Sequence, residues 1–338
     1  MKPVLIIAEA GVNHNGDLNI AKALIDAASD AKVDIVKFQT YKTEKLVSKK
    51  AKQASYQQKN TKSEGQFAML KKLELPEDWH YKLKAYAETK GVQFLSTGFD
   101  HDSLDFLNSM GPSFFKIPSG EISNKPYLEH VAAFKKPIVL STGMSNMEEI
   151  SAALSVLENN GISKEQLCVL HCNTEYPTPF EDVNLKAMCS IQNHFNVEVG
   201  YSDHTLGIEV AVAAVALGAK VIEKHFTISR AMEGPDHAAS LEPGELKEMV
   251  KSIRNIEKAL SGNGIKAPSP SELKNKTAAR KSIHINTALN TNDCVERHHL
   301  DIKRPGDGIN PMQIDEVVGK KIKTDLQADS KLKWEDLE

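Results

Sequence analysis

VLIIAEAG (4–11), IAKALIDAASDA (20–31) and DIVKFQTY (34–41) follow one another near the start of the chain. The first and third are short apolar runs that read as buried strands. The second repeats its apolar residues at spacings of three and four, the mark of a helix with one buried face. Two such strands joined by a helix pair in parallel through a right-handed crossover. The alternation continues through QFLSTGF (93–99), SFFKIPSG (113–120), PIVLSTG (137–143), LCVLHCN (167–173), VEVGYSD (197–203) and VIEKHFT (221–227). Helical stretches such as MEEISAALSVLENN (147–160) and IEVAVAAVALG (208–218) lie between them. Eight strands within residues 1–260 predict an α/β fold, a (β/α)8 TIM barrel. A doubly wound open sheet would need a glycine-rich phosphate turn after an early strand, and GVNHNG (11–16) lacks the GxGxxG spacing.

Residues 42–75 interrupt the pattern with an irregular stretch rich in Lys, Gln and Ser. Its composition fits a loop over the active face of the barrel and a solvated surface excursion equally well. Residues 261–278, SGNGIKAPSPSELKNKTA, show no apolar period and read as a linker. Residues 279–338 follow as short strands and turns, too few for a large core and expected to lean on another surface.

The chain has 338 residues, with 42 Lys and Arg against 45 Asp and Glu, a net charge of −3. That balance argues against nucleic acid or an anionic membrane as the main partner. No apolar run approaches the roughly 18 residues that span a bilayer. Glu9 breaks the first run too early for a signal-peptide core. Cys168, Cys172, Cys189 and Cys294 form no paired framework, so reduced thiols and a cytoplasmic location are expected.

In a barrel the C-terminal strand ends build the active site. Here they carry Glu9, Lys37, Thr97, Lys116, Ser119, Glu121, Ser141, Tyr176, Ser202, His204 and His225. Burying that much polarity without use costs several kcal/mol per unpaired group, so the set reads as a site. Two lysines with several hydroxyls suit a phosphate or carboxylate. His204 and His225, on adjacent strands, can share one divalent cation completed by water and substrate oxygen. Glu9, among cations, suits a general base or acid. His171 reads as a hydrogen-bonded core imidazole, and His298 and His299 as a surface pair.

IAEAGVNHNGD (7–17), VKFQT (36–40), KIPSGE (116–121), LSTGM (140–144), LHCNTEYPTPFEDVNL (170–185), GYSDHT (200–205), EKHFT (223–227), GPDHAASLEP (234–243) and KRPGDGINP (303–311) together strongly resemble the bacterial sialic acid synthase family. The resemblance spans nearly the whole chain in the expected order. It implies a TIM barrel followed by a small C-terminal antifreeze-like (SAF) domain, and a homodimer with swapped C-terminal domains. The implied reaction condenses phosphoenolpyruvate with N-acetylmannosamine to N-acetylneuraminate, with release of phosphate. The alternative is legionaminate synthesis from a 6-deoxy diacetamido sugar; another phosphoenolpyruvate-dependent sugar-condensing barrel stands further off. The implied cofactor is a divalent metal, Mn2+ before Mg2+ or Co2+, held by His204 and His225.

Carried over residue by residue, the resemblance gives Glu9 the catalytic carboxylate. Lys37, Thr97, Lys116, Ser119, Ser141 and Ser202 become the phosphoenolpyruvate cradle. Glu121, Thr174, Tyr176 and Asp236 become sugar contacts, and Arg304 reaches the partner's site to hold the N-acyl group. The chain departs from the family at Gly98, where a proline is usual and whose loss is expected to loosen the third loop, and at Arg280, near a position that some members fill with an aromatic residue. The roles of Tyr56, Gln57 and Gln58 stay open.

Overall fold

The computed structural model describes residues 3–61 and 65–338, apart from the side chains of Ser55, Tyr56 and Lys59. The chain divides into two compact units, Met1–Ser261 and Gly262–Glu338.

The strands of the first unit are β1 (Leu5–Gly11), β2 (Ile35–Thr40), β3 (Gln93–Gly98), β4 (Phe115–Ile117), β5 (Ile138–Ser141), β6 (Leu167–Cys172), β7 (Glu198–Asp203) and β8 (Val221–His225). Their hydrogen-bonded order is β3-β2-β1-β8-β7-β6-β5-β4. Sequence neighbours therefore pair, and β1 joins β8 in parallel, with Leu5 opposite Val221 and Glu9 opposite His225. β3 and β4, at the two ends of the order, lie against each other. The result is the expected parallel barrel, nearly closed.

The first crossover shows why these residues choose their elements. Asp17 caps the helix Leu18–Asp30 by accepting from the Asn19 and Ile20 amides. Ala21, Leu24, Ile25 and Ala28, spaced by three and one, form its buried face. Burial of Leu24 and Ile25 contributes roughly 1.5–3 kcal/mol each. Strand alternation sorts the layers. In β1, Ile6, Ala8 and Ala10 join the cluster under the helices, whereas Ile7 joins Ile35, Leu95, Val139, Leu170 and Val221 in a separate cluster inside the barrel. That inner plug leaves the polar strand ends beyond it as the remaining interior.

The 42–75 insertion is more regular than its composition suggests. It holds the helices Thr43–Leu46, Ser55–Asn60 and Gln66–Leu73. Met69 and Leu73 pack with Val12 and Tyr41, residues at the C-terminal ends of β1 and β2. Asn60 Nδ2 donates to the Pro235 carbonyl at 3.1 Å, in the loop after β8. These ties favour the active-face reading of this insertion over a free surface excursion.

In the second unit, β9 (Ser282–Ile285) pairs antiparallel with β10 (Leu300–Lys303). Ile283, Ile285, Val295, Ile309, Ile322 and Leu332 belong to its own small apolar core. The segment read as linker carries a helix, Pro270–Ala279, that its missing apolar period does not announce. Ser269 and Glu272 form a capping box and Pro270 occupies the first turn, signals that outweigh the missing apolar period. Among the described residues, no helix is long and apolar enough to cross a membrane.

Candidate active site

Above the apolar plug, the inward positions of four strands form one buried ionic cluster. Lys37 Nζ lies 2.7 Å from Glu9 Oε2 and 3.5 Å from Glu223 Oε2. It also donates to Thr97 Oγ1 at 2.9 Å. Lys116 Nζ lies 3.3 Å from Glu223 Oε1, which accepts from Ser202 Oγ at 3.2 Å. Gln39 Nε2 donates to Glu9 Oε1 at 3.2 Å. Two ammonium groups thus face two carboxylates, almost without solvent. That balance is what allows the charges to be buried.

The charges are not shared evenly. Burial alone would raise the Glu223 carboxyl, but Lys116 and Lys37, with the two imidazoles, outweigh it and bring its pKa to about 2. At Glu9, burial and the neighbouring Glu223 charge outweigh the shared Lys37 and the Gln39 amide, so its pKa is raised. One carboxylate is a fixed anion and the other is poised toward taking a proton. Lys116 is pulled down by burial, with Glu223 opposing. Gly11, at the end of β1 with φ +53°, lets the backbone turn beside Glu9, Gln39 and His225, each of which a Cβ would meet at 3.4 Å.

His204 and His225 come together beside this cluster, both buried, with ring centroids 5.5 Å apart. Burial lowers the His204 pKa to about 4 and holds His225 well below the usual range, with His204 adding to the latter effect. Both are neutral at neutral pH, the form that ligates a metal. His204 Nδ1 donates to the Asn173 carbonyl, which leaves Nε2 as the lone-pair nitrogen, 3.5 Å from Ser202 Oγ. His225 Nδ1 is buried without a hydrogen-bond partner among the described residues, and Asp236 Oδ2 lies 3.9 Å away. Tyr176 packs on both rings, with centroids 4.1 Å from His204 and 5.6 Å from His225. Among the described residues no three His, Cys, Asp or Glu converge as a metal-ligand set. The orphaned Nδ1 and the two neutral rings fit a divalent ion that takes two nitrogens from the protein and oxygens from water and substrate.

The remaining candidates of the first unit line the same end of the barrel. Ser141 Oγ is buried with no hydrogen-bond partner among the described residues, and Ser119 Oγ accepts from the Gly143 amide at 3.0 Å. Glu121 accepts from Asn124 at 2.6 Å, and partial burial raises its pKa. Thr174 packs against Gly143, whose added Cβ would meet its Cγ2 at 2.5 Å. Burial, with Glu9 nearby, pushes the Asp236 carboxyl up to about 7. The Gly98 carbonyl accepts from the buried Tyr127 hydroxyl at 2.6 Å, which anchors the end of β3 without the ring of a proline. His171 Nε2 bonds the Val183 carbonyl at 2.8 Å, and the four cysteines are free thiols. Arg304 belongs to the second unit, where it is exposed and its Nε donates to the Ala279 carbonyl at 3.0 Å. Arg280, also in that unit, is exposed beside Gly306. Tyr56 lies outside the described side chains.

Glu223 and Gln39 are at the centre of the cluster, yet the sequence reading passed over them. Each stands two residues from a chosen one, His225 and Lys37, and residues two apart on a strand share a face. Applying that rule to EKH and KFQ would have found both.

Residues 24–266 match the NeuB family, and residues 280–338 match the SAF domain. The N,N'-diacetyllegionaminic acid synthase of Campylobacter jejuni is 52% identical over 95% of this chain and 96% of its own. The N,N'-diacetyllegionaminic acid synthase of Legionella pneumophila is 47% identical over 98% of this chain and 94% of its own. Among solved structures, the N-acetylneuraminic acid synthetase of Leptospira borgpetersenii superposes with a TM-score of 0.71 at 35% identity, over 81% of this chain and 90% of that one.

Proposed function

The chain belongs to the NeuB family of phosphoenolpyruvate-dependent nonulosonate synthases, and on that premise we propose that its sugar substrate is the 6-deoxy diacetamido hexose that leads to legionaminate. This departs from the N-acetylneuraminate reading of the sequence. The observation that carries it is the 52% and 47% identity to two legionaminic acid synthases, against 35% to a sialic acid synthetase.

The site suits the chemistry. Lys37, Lys116, Thr97, Ser119, Ser141 and Ser202 supply the positive charge and hydroxyl donors for the phosphate and carboxylate of phosphoenolpyruvate. His204 and His225 would hold the divalent ion, with Mn2+ proposed, which when bound supplies Lewis-acid polarisation of the sugar aldehyde. The C3 carbon of phosphoenolpyruvate bonds to the aldehyde carbon, the carbonyl π pair moves to the aldehyde oxygen, and the electron deficiency passes to C2. Water adds at C2 and Glu9 takes one of its protons and passes it to the former aldehyde oxygen; the C2 hydroxyl then gives up its other proton to the departing phosphate as the C2–O bond to phosphate breaks and the ketone forms. The raised Glu9 pKa suits that role, since a base works best when its pKa approaches the operating pH. Glu223 keeps the two lysines in place before the anion arrives. Glu121, Thr174, Tyr176 and Asp236 line the sugar side, and the barrel brings both reactants together.

The test is competition. Purified enzyme with phosphoenolpyruvate, Mn2+ and equal amounts of N-acetylmannosamine and the diacetamido sugar is read by product mass. At least a roughly 10-fold excess of the diacetamido product is expected, since the second acetamido group offers both apolar area and a hydrogen-bonding amide. An excess of N-acetylneuraminate would overturn the assignment.

A further inference from the structure

Directly behind the two imidazoles, on the outward face of the same strands, lies an ion pair that the mechanism does not use. Asp203 and Lys224 stand opposite each other in the β7–β8 register, and their side chains are fully buried. Lys224 Nζ lies 2.8 Å from Asp203 Oδ2 and donates to the Thr205 carbonyl at 2.6 Å. Asp203 Oδ1 accepts from both the Thr205 amide, at 2.9 Å, and the Thr205 hydroxyl, at 2.8 Å. On the same face of these strands, Val199 and Ile222 belong to the apolar cluster beneath the helices.

A buried ion pair is a poor way to gain stability, because well-packed apolar residues in its place often do as well. What distinguishes this one is its position. Asp203 immediately precedes His204, and Lys224 immediately precedes His225. The bonds to Thr205 close on the far side of His204, so the backbone is gripped on both sides of that residue and tied across to the strand that carries His225. We propose that the Asp203–Lys224 pair is a positioning device that fixes the spacing and orientation of His204 and His225 as a two-imidazole metal site. The inference rests on the reading that these rings hold a divalent cation, and it gives a role to two residues that touch neither substrate nor metal.

The experiment measures metal affinity directly. Mn2+ binding to the full-length protein is titrated by the electron paramagnetic resonance of free Mn2+, with thermal unfolding recorded in parallel. Two neutral replacements are compared with wild type, Asp203→Leu/Lys224→Met and Asp203→Asn/Lys224→Met. The second keeps the cap on Thr205 and guards against a folding failure of the first. His204→Ala serves as the control for lost binding. A positioning role predicts Mn2+ bound at least about 10-fold more weakly in variants that unfold cooperatively, the lower end of the range for losing a group bonded directly to a ligating imidazole. Wild-type Mn2+ affinity in either folded variant overturns the inference and leaves the metal reading intact. Failure of the wild-type protein to bind Mn2+ overturns both.

Discussion

Replacing Glu223 by Gln tests the electrostatic account of the barrel interior, because it removes one charge and almost no volume. Wild-type protein balances Lys37 and Lys116 with Glu9 and Glu223, whereas the variant leaves two ammonium groups with one carboxylate. Loss of one partner from a buried pair costs about 3–5 kcal/mol. The contacts at 3.3 and 3.5 Å are longer than a tight pair, and the Gln carbonyl still accepts one bond, so the lower end applies. About 3 kcal/mol in a unit of this size lowers Tm by roughly 5–6 °C. The deficit has a defined pH window. Glu223 is depressed from 4.5 to about 2, so the stability it contributes is present above about pH 4.5 and is lost as pH falls toward 2. The difference between variant and wild type should therefore shrink across that interval. Added phosphoenolpyruvate should reverse part of the loss, since its anionic groups take the vacated place beside the lysines and stabilise by mass action. Differential scanning fluorimetry with and without phosphoenolpyruvate reads both effects. An unchanged Tm, or an equal phosphoenolpyruvate-induced rise in both proteins, would refute the charge-balance reasoning.

Further outcomes follow from the same geometry. His204→Ala or His225→Ala should abolish condensation while circular dichroism stays native, and full activity of either variant in EDTA-treated buffer would remove the metal from the mechanism. Glu9→Gln should cut turnover at least roughly 100-fold with phosphoenolpyruvate binding largely kept, as for loss of a general base; near wild-type turnover would make Glu9 structural. Arg304→Ala should raise the KM for the sugar far more than that for phosphoenolpyruvate. Mixing His204→Ala and Arg304→Ala proteins under subunit exchange should restore activity if Arg304 acts in trans, and no recovery in a demonstrated heterodimer would assign it to its own chain.

The barrel was legible because its signal is redundant. Eight apolar runs with helical spacing between them point one way, and each expected run contains an observed strand. The polar strand ends stood out for the same reason, as Glu9, Lys37 and His225 sit in runs that a plain core would fill with aliphatic residues. What was hidden depends on partners far apart in sequence. Nothing local to Glu223 says that Lys37 and Lys116 converge on it from two other strands, or that Asp203 finds Lys224 across the ladder. The helix Pro270–Ala279 was missed for a different reason: it has no buried residue, so the apolar period on which the reading relied is absent and only its cap gives it away. The choice of sugar is the least legible part: motif likeness pointed to N-acetylneuraminate, whereas overall identity to two legionaminic acid synthases favours the alternative.

The most direct test of the central claim uses phosphoenolpyruvate carrying 18O in the oxygen that bridges C2 and phosphorus. Enzyme, Mn2+ and the diacetamido sugar are added, and phosphate and product are analysed by mass. Phosphate release should require the sugar, match the nonulosonate formed and carry the label away from carbon, because water enters at C2 and the C–O bond breaks. Phosphate released without sugar, or label retained in the nonulosonate, would contradict it.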